Sequence, residues 1–387
     1  MKLSFEQIKA AYDQEIKGLG PVHRKGDIPL SWDSITAEWL TDVLIGGGGD
    51  VRVTGFRLDD EDEGTASRRR IFIEYNEAGR GDALPASVFC KATHRLDNRY
   101  IIGMNGGIEA EVTFYDKLRA GLDIEAPECL HASFDPQSLN SIIVMRDIAD
   151  RVRFCNFDTP MTEELARSQM RVLAALHAAY YESAALDTTL SPWNTWEEFF
   201  AITAREAGFE QACQRGFIEA RDVIPPALFV REAEIWPATL DAIALHGKLP
   251  RMLLHSDVHL KNWYIAAPDR MGLNDWQCSC KGHWSRDLSY CISSALTVEQ
   301  RRDWERDLLA YYLEQMHGRG VPRIAFDDAW LAYRAQMFGA LAWWTGTLGQ
   351  PPEAPAMQPR AASLAFIERI ANAIDDLDSL GAVALAK

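Results

Sequence analysis

A polar segment in the second half of the chain combines residue types that could perform phosphoryl transfer. The segment reads His255-Ser256-Asp257-Val258-His259-Leu260-Lys261-Asn262, and Leu273-Asn274-Asp275-Trp276 follows it. One carboxylate can orient an attacking hydroxyl group and accept its proton. An amide oxygen and a second carboxylate can hold Mg²⁺ against the phosphates of ATP. Asp257, Asn262 and Asp275 therefore form a candidate site for transfer of a phosphoryl group.

The elements around this segment must bring Asp257 and Asn262 side by side. A short apolar run precedes His255, so a strand is predicted to present His255 and Asp257 at its end. The following turn brings Asn262 back beside Asp257, and residues 252–273 as a whole are predicted to form a hairpin-like insert. In this arrangement Asp257 would align the acceptor hydroxyl for in-line attack, while Asn262 and Asp275 would bind Mg²⁺.

Strand patterns dominate the first part of the chain, and long helical patterns dominate the rest. Strands are predicted over residues 51–56, 70–75, 84–91 and 141–145, and helices over residues 5–16 and 108–118. Thr36 is expected to cap a further helix. Long helices follow from residue 162 onward, such as the one predicted over residues 165–181. A strand-rich part followed by a helix-rich part predicts an α+β fold with two lobes and a crevice between them.

The bulk composition narrows the class of protein. The formal net charge of −16 over 387 residues argues against a nucleic-acid-binding protein. The longest apolar runs fall short of the roughly 20 residues that a membrane span needs, and the first residues lack the apolar core of a signal peptide. The 7 cysteines are scattered and odd in number, which favours reduced thiols. We therefore expect a cytoplasmic enzyme with no nucleic-acid or membrane partner, whose oligomeric state stays open.

The order of these motifs resembles that of the aminoglycoside phosphotransferase and choline kinase superfamily, with features of its ecdysteroid-kinase-like branch. The shared signature is His-x-Asp-apolar-x-x-x-Asn, then an Asp before an aromatic residue, then a Gly and an Asp-Leu pair. This chain supplies residues 255–262, then Asp275-Trp276, then Gly282 and Asp287-Leu288. The resemblance implies a two-lobed protein-kinase-like fold, with a nucleotide-binding lobe over residues 1–145 and a helical lobe over residues 146–387. It also implies ATP- and Mg²⁺-dependent phosphorylation of a small-molecule hydroxyl group, with Asp257 as the base and His255 orienting the loop.

By the same resemblance, residues of the first lobe hold the nucleotide. Lys91 matches the strand lysine that contacts the phosphates, and Glu111 matches the helix glutamate that pairs with it, with Glu109 as a competing partner. The turn from Gly64 to Ser67 would let backbone N–H groups approach the phosphates. Three residues of the segment that links the lobes are expected to line the adenine site: Met145, Arg146 and Ile148.

Two positions depart from the superfamily pattern, and a third position is expected to support the loop. Ser256 stands where Gly is usual, and Asn274 precedes the metal-binding Asp where an apolar residue is usual. Neither change removes a reactive group. By the same resemblance, Asp287 is expected to hold the catalytic loop by accepting backbone hydrogen bonds.

Two other functions and the choice of substrate stay open. A nucleotide-binding scaffold without turnover would bind ATP and transfer nothing. A zinc metallohydrolase would draw its ligands from the following residues: His255, Asp257, His259, Cys278, Cys280 and His283. That alternative leaves Asn262 and Lys91 unexplained. The acidic charge favours a cationic acceptor and the many aromatic residues favour an apolar one, so aminoglycosides, amino alcohols and steroid-like alcohols all remain, with ATP or GTP as the donor.

Overall fold

The computed structural model describes residues 3–46, 49–79, 84–206, 208–351 and 357–387. The chain forms two compact units, Met1–Gly121 together with Ala126–Arg151, and Leu122–Glu125 together with Val152–Lys387. The first unit contains the larger sheet and the second is mainly helical, which confirms the α+β class. The functional division between residues 145 and 146 stays a prediction.

An antiparallel sheet forms the centre of the first unit. Its strands are β1 (Val53–Leu58), β2 (Asp62–Glu63), β3 (Ser67–Tyr75), β4 (Ser87–Ala92), β5 (Cys129–Phe134) and β6 (Ser141–Arg146). They pair in the order β1-β3-β4-β6-β5, and β2 adds to β3 as a short hairpin partner. Alternate residues of β3, Ile71 and Ile73, are buried, because successive side chains of a strand point to opposite faces. This sheet places Lys91 on a central strand, β4.

The described residues of the same unit include the α-helices α1 (Phe5–Ile16), α2 (Ala37–Leu44), α3 (Leu96–Gly103) and α4 (Gly107–Thr113). The predicted N-cap of α2 is confirmed, since the Thr36 hydroxyl accepts the Trp39 N–H at 3.1 Å. Trp39 is fully buried and belongs to one apolar cluster with Ile71 and Val88 of the sheet. The helix predicted over residues 108–118 is α4 followed by a π-type turn over Phe114–Leu118.

Helices make up most of the second unit. They are α5 (Glu163–Ala179), α6 (Trp196–Glu206), α7 (Phe209–Glu219), α8 (Pro226–Phe229), α9 (Glu232–His246), α10 (Ser285–Ala295), α11 (Val298–Gly318), α12 (Phe326–Ala335), α13 (Phe338–Leu348), α14 (Arg360–Asp376) and α15 (Ser379–Ala386). Every residue of α10 is buried, so this helix lies inside the unit. Within the described ranges, no helix is long and apolar enough to cross a membrane.

Short strands interrupt these helices and position the polar segment. They are β7 (Arg153–Phe154), β8 (Met252–Leu254), β9 (Trp263–Ala267), β10 (Arg270–Leu273) and β11 (Cys280–Gly282). β9 and β10 form an antiparallel hairpin that β7 extends, whereas β8 pairs with β11. The hairpin-like insert predicted over residues 252–273 is therefore confirmed for β9 and β10 and wrong for β8, which pairs with the later strand β11. The loop that carries Asp257 lies between β8 and β9, and the three residues of β8 are completely buried.

Candidate active site

Asp257 and Asn262 are joined at the two ends of one loop. The Asn262 amide Nδ2 donates to the backbone oxygen of Asp257 at 2.8 Å and to its carboxylate Oδ2 at 3.1 Å. A 3₁₀ turn over Leu260–Asn262 brings the asparagine back to the aspartate. Because Nδ2 makes both bonds, the amide oxygen of Asn262 points to the other side of the planar group. That oxygen is the atom a metal ion would use.

His255 holds the same loop through hydrogen bonds of both ring nitrogens. Its Nε2–H donates to the backbone oxygen of Asn274 at 2.9 Å, and its Nδ1 accepts the Asp257 N–H at 3.2 Å. The carbonyl acceptor requires the proton on Nε2, so the two bonds define a neutral tautomer. Burial lowers the pKa of His255 below its ordinary value, which keeps the ring neutral. With both ring nitrogens bonded to protein, His255 holds the loop in place.

Asp275 lies next to this loop through its neighbour Asn274. The Asn274 N–H donates to the backbone oxygen of Asn262 at 2.9 Å. Asp275 itself has a φ of 63°, in the left-handed region, and begins the 3₁₀ turn over Trp276–Cys278. An amide oxygen from Asn262 and a carboxylate from Asp275 are hard oxygen donors of the kind that Mg²⁺ takes. The donor chemistry of these two residues therefore fits a magnesium ion.

The Asp257 carboxylate is surrounded by hydrogen-bonding groups and retains access to solvent. The Tyr290 hydroxyl donates to Oδ1 at 3.3 Å, and His259 Nε2 lies 3.5 Å from Oδ2. The side chain keeps 17% of its surface exposed, which leaves an approach for a substrate. Burial opposes ionisation, but His259, His255 and Arg286 together hold the pKa of Asp257 well below its usual range. Asp257 is therefore an ionised carboxylate that can accept a hydrogen bond.

The Asp287 carboxylate supports the loop by accepting hydrogen bonds from the loop backbone, as the sequence predicts. Its Oδ2 accepts the His255 N–H and its Oδ1 accepts the Ser256 N–H, both at 2.9 Å. His177 of α5 adds a third bond, with Nε2 at 3.2 Å from Oδ2, while its Nδ1 bonds the Tyr312 hydroxyl at 2.8 Å. Burial would raise the pKa of Asp287, but His177, His255 and Arg286 lower it. A wholly buried carboxylate thus anchors the residues just before the candidate base.

In the first unit, Lys91 and Glu111 form a buried ion pair. Lys91 Nζ of β4 lies 2.7 Å from Glu111 Oε2 of α4, and the two side chains are 11% and 6% exposed. The structure therefore contains the predicted pairing with Glu111, whereas Glu109 is half-buried and burial raises its pKa. A cavity of about 10 Å³ lies beside the pair and is lined also by Ala66 and Thr93. This volume is enough for one water molecule.

The turn from Gly64 to Ser67 is braced by a residue that the sequence reasoning missed. Asn98 of α3, which is 2% exposed, donates from Nδ2 to the backbone oxygens of Gly64 at 3.2 Å and Thr65 at 2.9 Å. The Ser67 hydroxyl donates to Asn98 Oδ1 at 3.2 Å. These bonds fix the shape of the turn between β2 and β3.

The predicted adenine-binding residues lie at the end of β6. Met145 is buried and pairs with Phe89 of β4, while Ile148 is half-buried beyond the strand. The Arg146 N–H donates to the backbone oxygen of Glu128 at 2.9 Å, so a base contact at Arg146 would have to use its carbonyl. Sequence alone could not foresee this, because it depends on the register of β5 against β6.

The ligand set of the zinc alternative is not assembled. Both ring nitrogens of His255 are bonded to the backbone, and His283 Nδ1 bonds the Ser285 hydroxyl at 2.8 Å. Among the residues that the structure describes, no three His, Cys, Asp or Glu side chains are grouped so as to hold a metal ion. The His255-x-Asp257-x-His259 pattern thus serves the loop and the candidate base.

Two further residues of α10 contact the loop between β8 and β9 and were not singled out from the sequence. Tyr290 bonds Asp257, and Arg286 Nη2 donates to the backbone oxygen of Ser256 at 3.0 Å. Tyr290 lies three residues after Asp287, so both face the same side of the helix. That spacing is the signal by which Tyr290 could have been found. Arg286 offered no such signal, because a charged side chain is ordinarily expected at the surface.

Comparison with known sequences gives one family match. The sequence model of the phosphotransferase enzyme family matches residues 106–326, which is more than half of the chain. The match includes the catalytic loop, Asp275, Asp287 and Glu111, and it begins after Lys91. The comparison with curated proteins gave no match.

Several solved structures are similar to this chain at low identity. A choline kinase from Cryptosporidium parvum is 9% identical, with 87% of this chain and 92% of that one covered and a TM-score of 0.49. A spectinomycin phosphotransferase in complex with ADP and spectinomycin is 14% identical, with coverages of 84% and 94% and a TM-score of 0.48. An ethanolamine kinase from Plasmodium vivax is 10% identical, with coverages of 84% and 81% and a TM-score of 0.47. At these values the similarities decide neither substrate nor mechanism.

Proposed function

The chain belongs to the phosphotransferase enzyme family, and we propose that it transfers the γ-phosphoryl group of ATP to a hydroxyl group of a small molecule. In this proposal Asp257 is the catalytic base. Asn262 and Asp275 bind Mg²⁺, which supplies positive charge to the phosphates of ATP when bound. Lys91, fixed by Glu111, contacts the donor phosphates. His255 orients the loop and does not react.

One observation carries the proposal: the double hydrogen bond from the Asn262 amide to Asp257. It ties the proposed base to a proposed metal ligand within one loop. The amide is held with its nitrogen toward the base and its oxygen away from it. Phosphoryl transfer needs this combination, because the base must face the acceptor while the metal ligand faces the donor.

The reaction uses Asp257 to orient the acceptor. The carboxylate accepts a hydrogen bond from the acceptor hydroxyl and points the oxygen lone pair at the γ-phosphorus. A bond forms between that oxygen and phosphorus as the bond to the β,γ-bridging oxygen breaks, so ADP leaves. Asp257 takes the hydroxyl proton. The products are a phosphate ester and ADP.

Residues of the first unit are proposed to bind the nucleotide. The braced turn from Gly64 to Ser67 would lie against the phosphates, and Met145, Arg146 and Ile148 would line the adenine site. Residues 1–145 would then serve as the nucleotide-binding lobe, and residues 146–387 would carry the catalytic loop and the acceptor site. The acceptor class and the ecdysteroid-kinase-like branch stay open within this proposal.

Thermal unfolding with and without ligands tests the nucleotide and metal parts. A ligand at 100 times its Kd stabilises the folded state by about 2.7 kcal/mol. ATP with Mg²⁺ should therefore raise the Tm by several degrees, and ATP without Mg²⁺ should raise it less. Asp275→Ala should abolish the extra effect of Mg²⁺. A parallel series with GTP decides the donor.

A matched control and the contrary outcomes follow from the same experiment. Asp307→Ala, on an exposed position of α11, removes a carboxylate far along the chain from the site and should keep the full Mg²⁺-dependent shift. No shift with either nucleotide would contradict the proposed site. A shift that is never accompanied by ADP formation would favour the scaffold without turnover.

A further inference from the structure

The residue immediately before the proposed base has a strained backbone. Ser256 has a φ of 67°, in the left-handed region that side-chain-bearing residues seldom adopt. Glycine would enter this region without penalty. Since Ser256 leads directly into Asp257, a relaxation of its backbone would redirect the Asp257 carboxylate. Something in the fold must therefore hold Ser256 in place.

Both sides of Ser256 are bonded to the first turn of α10. Its N–H donates to Asp287 Oδ1 at 2.9 Å, and its backbone oxygen accepts from Arg286 Nη2 at 3.0 Å. Arg286 and Asp287, two consecutive residues of the buried helix α10, thus bond the two peptide groups on either side of the Ser256 Cα. The Asp287 contact belongs to the support already described, whereas the Arg286 contact has no role assigned to it.

Arg286 is an unusual residue to bury. It is completely buried, and its guanidinium lies 4.3 Å from the ring centre of Trp196 and 4.6 Å from that of Tyr290. Within the described part of the chain, no carboxylate lies at ion-pair distance, and Nε and Nη1 have no hydrogen-bond partner. A buried charge with incomplete bonding is costly for stability. Among the described residues, the hydrogen bond that the guanidinium makes is the one to the backbone oxygen of Ser256.

We propose that Arg286 is a positioning residue for Asp257, and that it acts by holding the backbone oxygen of Ser256 so that this residue keeps its left-handed conformation. The rings of Trp196 and Tyr290 hold the guanidinium in place, and the guanidinium holds the Ser256 backbone oxygen by a hydrogen bond. The proposal rests on the proposed role of Asp257 as the base. It assigns Arg286 no contact with substrate or nucleotide.

A rescue experiment separates this role from general stability. Arg286→Met removes the hydrogen bond while keeping an unbranched side chain, and should lower the kcat of Mg²⁺-dependent ADP formation about 10- to 100-fold, as a displaced catalytic group does. The KM for ATP should change little. Adding Ser256→Gly should restore most of the lost kcat, because glycine keeps the left-handed conformation without the clamp. Water serves as the acceptor until the natural one is known.

Arg301→Met is the matched control. Arg301 is also a buried arginine, but it pairs with Glu305 on α11, away from the loop. Its loss should lower the Tm and leave the kcat unchanged, so Ser256→Gly should not raise the kcat in that background. An unchanged kcat in Arg286→Met, or a double variant no better than Arg286→Met, would overturn the proposal.

A crystal structure of the Arg286→Met protein gives a readout that needs no activity. The proposal expects the φ of Ser256 to leave the left-handed region and the Asp257 carboxylate to shift. Arg286→Leu, which also lacks a donor, takes the place of Arg286→Met if that variant does not fold. An unmoved loop would reject the clamp, even if ATP turnover were absent from the wild-type protein. Absence of turnover alone would reject the proposed function and not the clamp.

Discussion

Replacing Asp287 by Asn probes the buried anchor of the catalytic loop. The change keeps the size of the side chain but turns one acceptor oxygen into an NH₂ donor. Among the described residues, Oδ2 accepts from both His255 and His177, and Oδ1 accepts from Ser256 alone. The least harmful orientation therefore places the NH₂ group at Oδ1, where it faces the Ser256 N–H.

The cost follows from these three bonds. A hydrogen bond to a charged group contributes about 1.5–3 kcal/mol and a neutral one about 0.5–1.5 kcal/mol. One charged bond is lost and the bonds from His255 and His177 become neutral, which together amount to roughly 3–5 kcal/mol. Breaking a buried charge interaction by removing one partner costs a similar amount, about 3–5 kcal/mol.

Thermal unfolding measures this cost. In domains of about 150–250 residues, each kcal/mol shifts the Tm by roughly 2–4 °C, so Asp287→Asn should lower the Tm by about 6–20 °C. Asp307→Asn makes the same chemical change at an exposed position and should stay within about 0.5 kcal/mol of the wild type. A Tm within 2 °C or so of the wild type in Asp287→Asn would rule out this cost, because one bond to a wholly buried carboxylate cannot be lost and two weakened without a fall in stability.

Three further changes test other parts of the account. Glu111→Gln removes a carboxylate 2.7 Å from the buried Lys91 ammonium, so it should lower the Tm and, in steady-state assays, raise the KM for ATP, whereas Glu109→Gln should change neither quantity. Asp257→Ala should abolish transfer and keep the ATP-induced Tm shift; intact turnover with lost binding would contradict the assigned role. Burial lowers the pKa of His246 to about 3, from 6.5 in the unfolded chain. The unfolded state therefore binds a proton first, so the folded protein keeps its full stability above pH 6.5 and loses stability as the pH falls below that value. At pH 5 this residue alone should cost about 2 kcal/mol, and His246→Gln should lessen the acid-induced fall in Tm.

The local part of the site could be predicted from sequence because it depends on local geometry. Asp257 and Asn262 are five residues apart in one loop, so a single turn determines their contact. The hairpin that follows and the pairing of Lys91 with Glu111 were likewise anticipated by pattern and resemblance. The assignment of these residues to a nucleotide and a metal remains a proposal.

Features that depend on tertiary packing were not predictable. Strand β5 was missed because its buried residues, His131 and Ala132, are adjacent, so the strand lacks the alternation by which a half-buried strand is recognised. The π-type turn over Phe114–Leu118 has no sequence signature in the helical pattern that precedes it. Asn98 and Arg286 are polar residues that the folded structure buries against their partners. Sequence rules place such residues at the surface.

The most direct test of the central claim is detection of a phosphate ester by mass spectrometry. The protein is incubated with ATP, Mg²⁺ and representatives of three acceptor classes: aminoglycosides, amino alcohols and steroid-like alcohols. The wild-type protein is expected to phosphorylate a hydroxyl group of one class, and Asp257→Ala is expected to form no product. Product formed by Asp257→Ala at the wild-type rate would contradict the account.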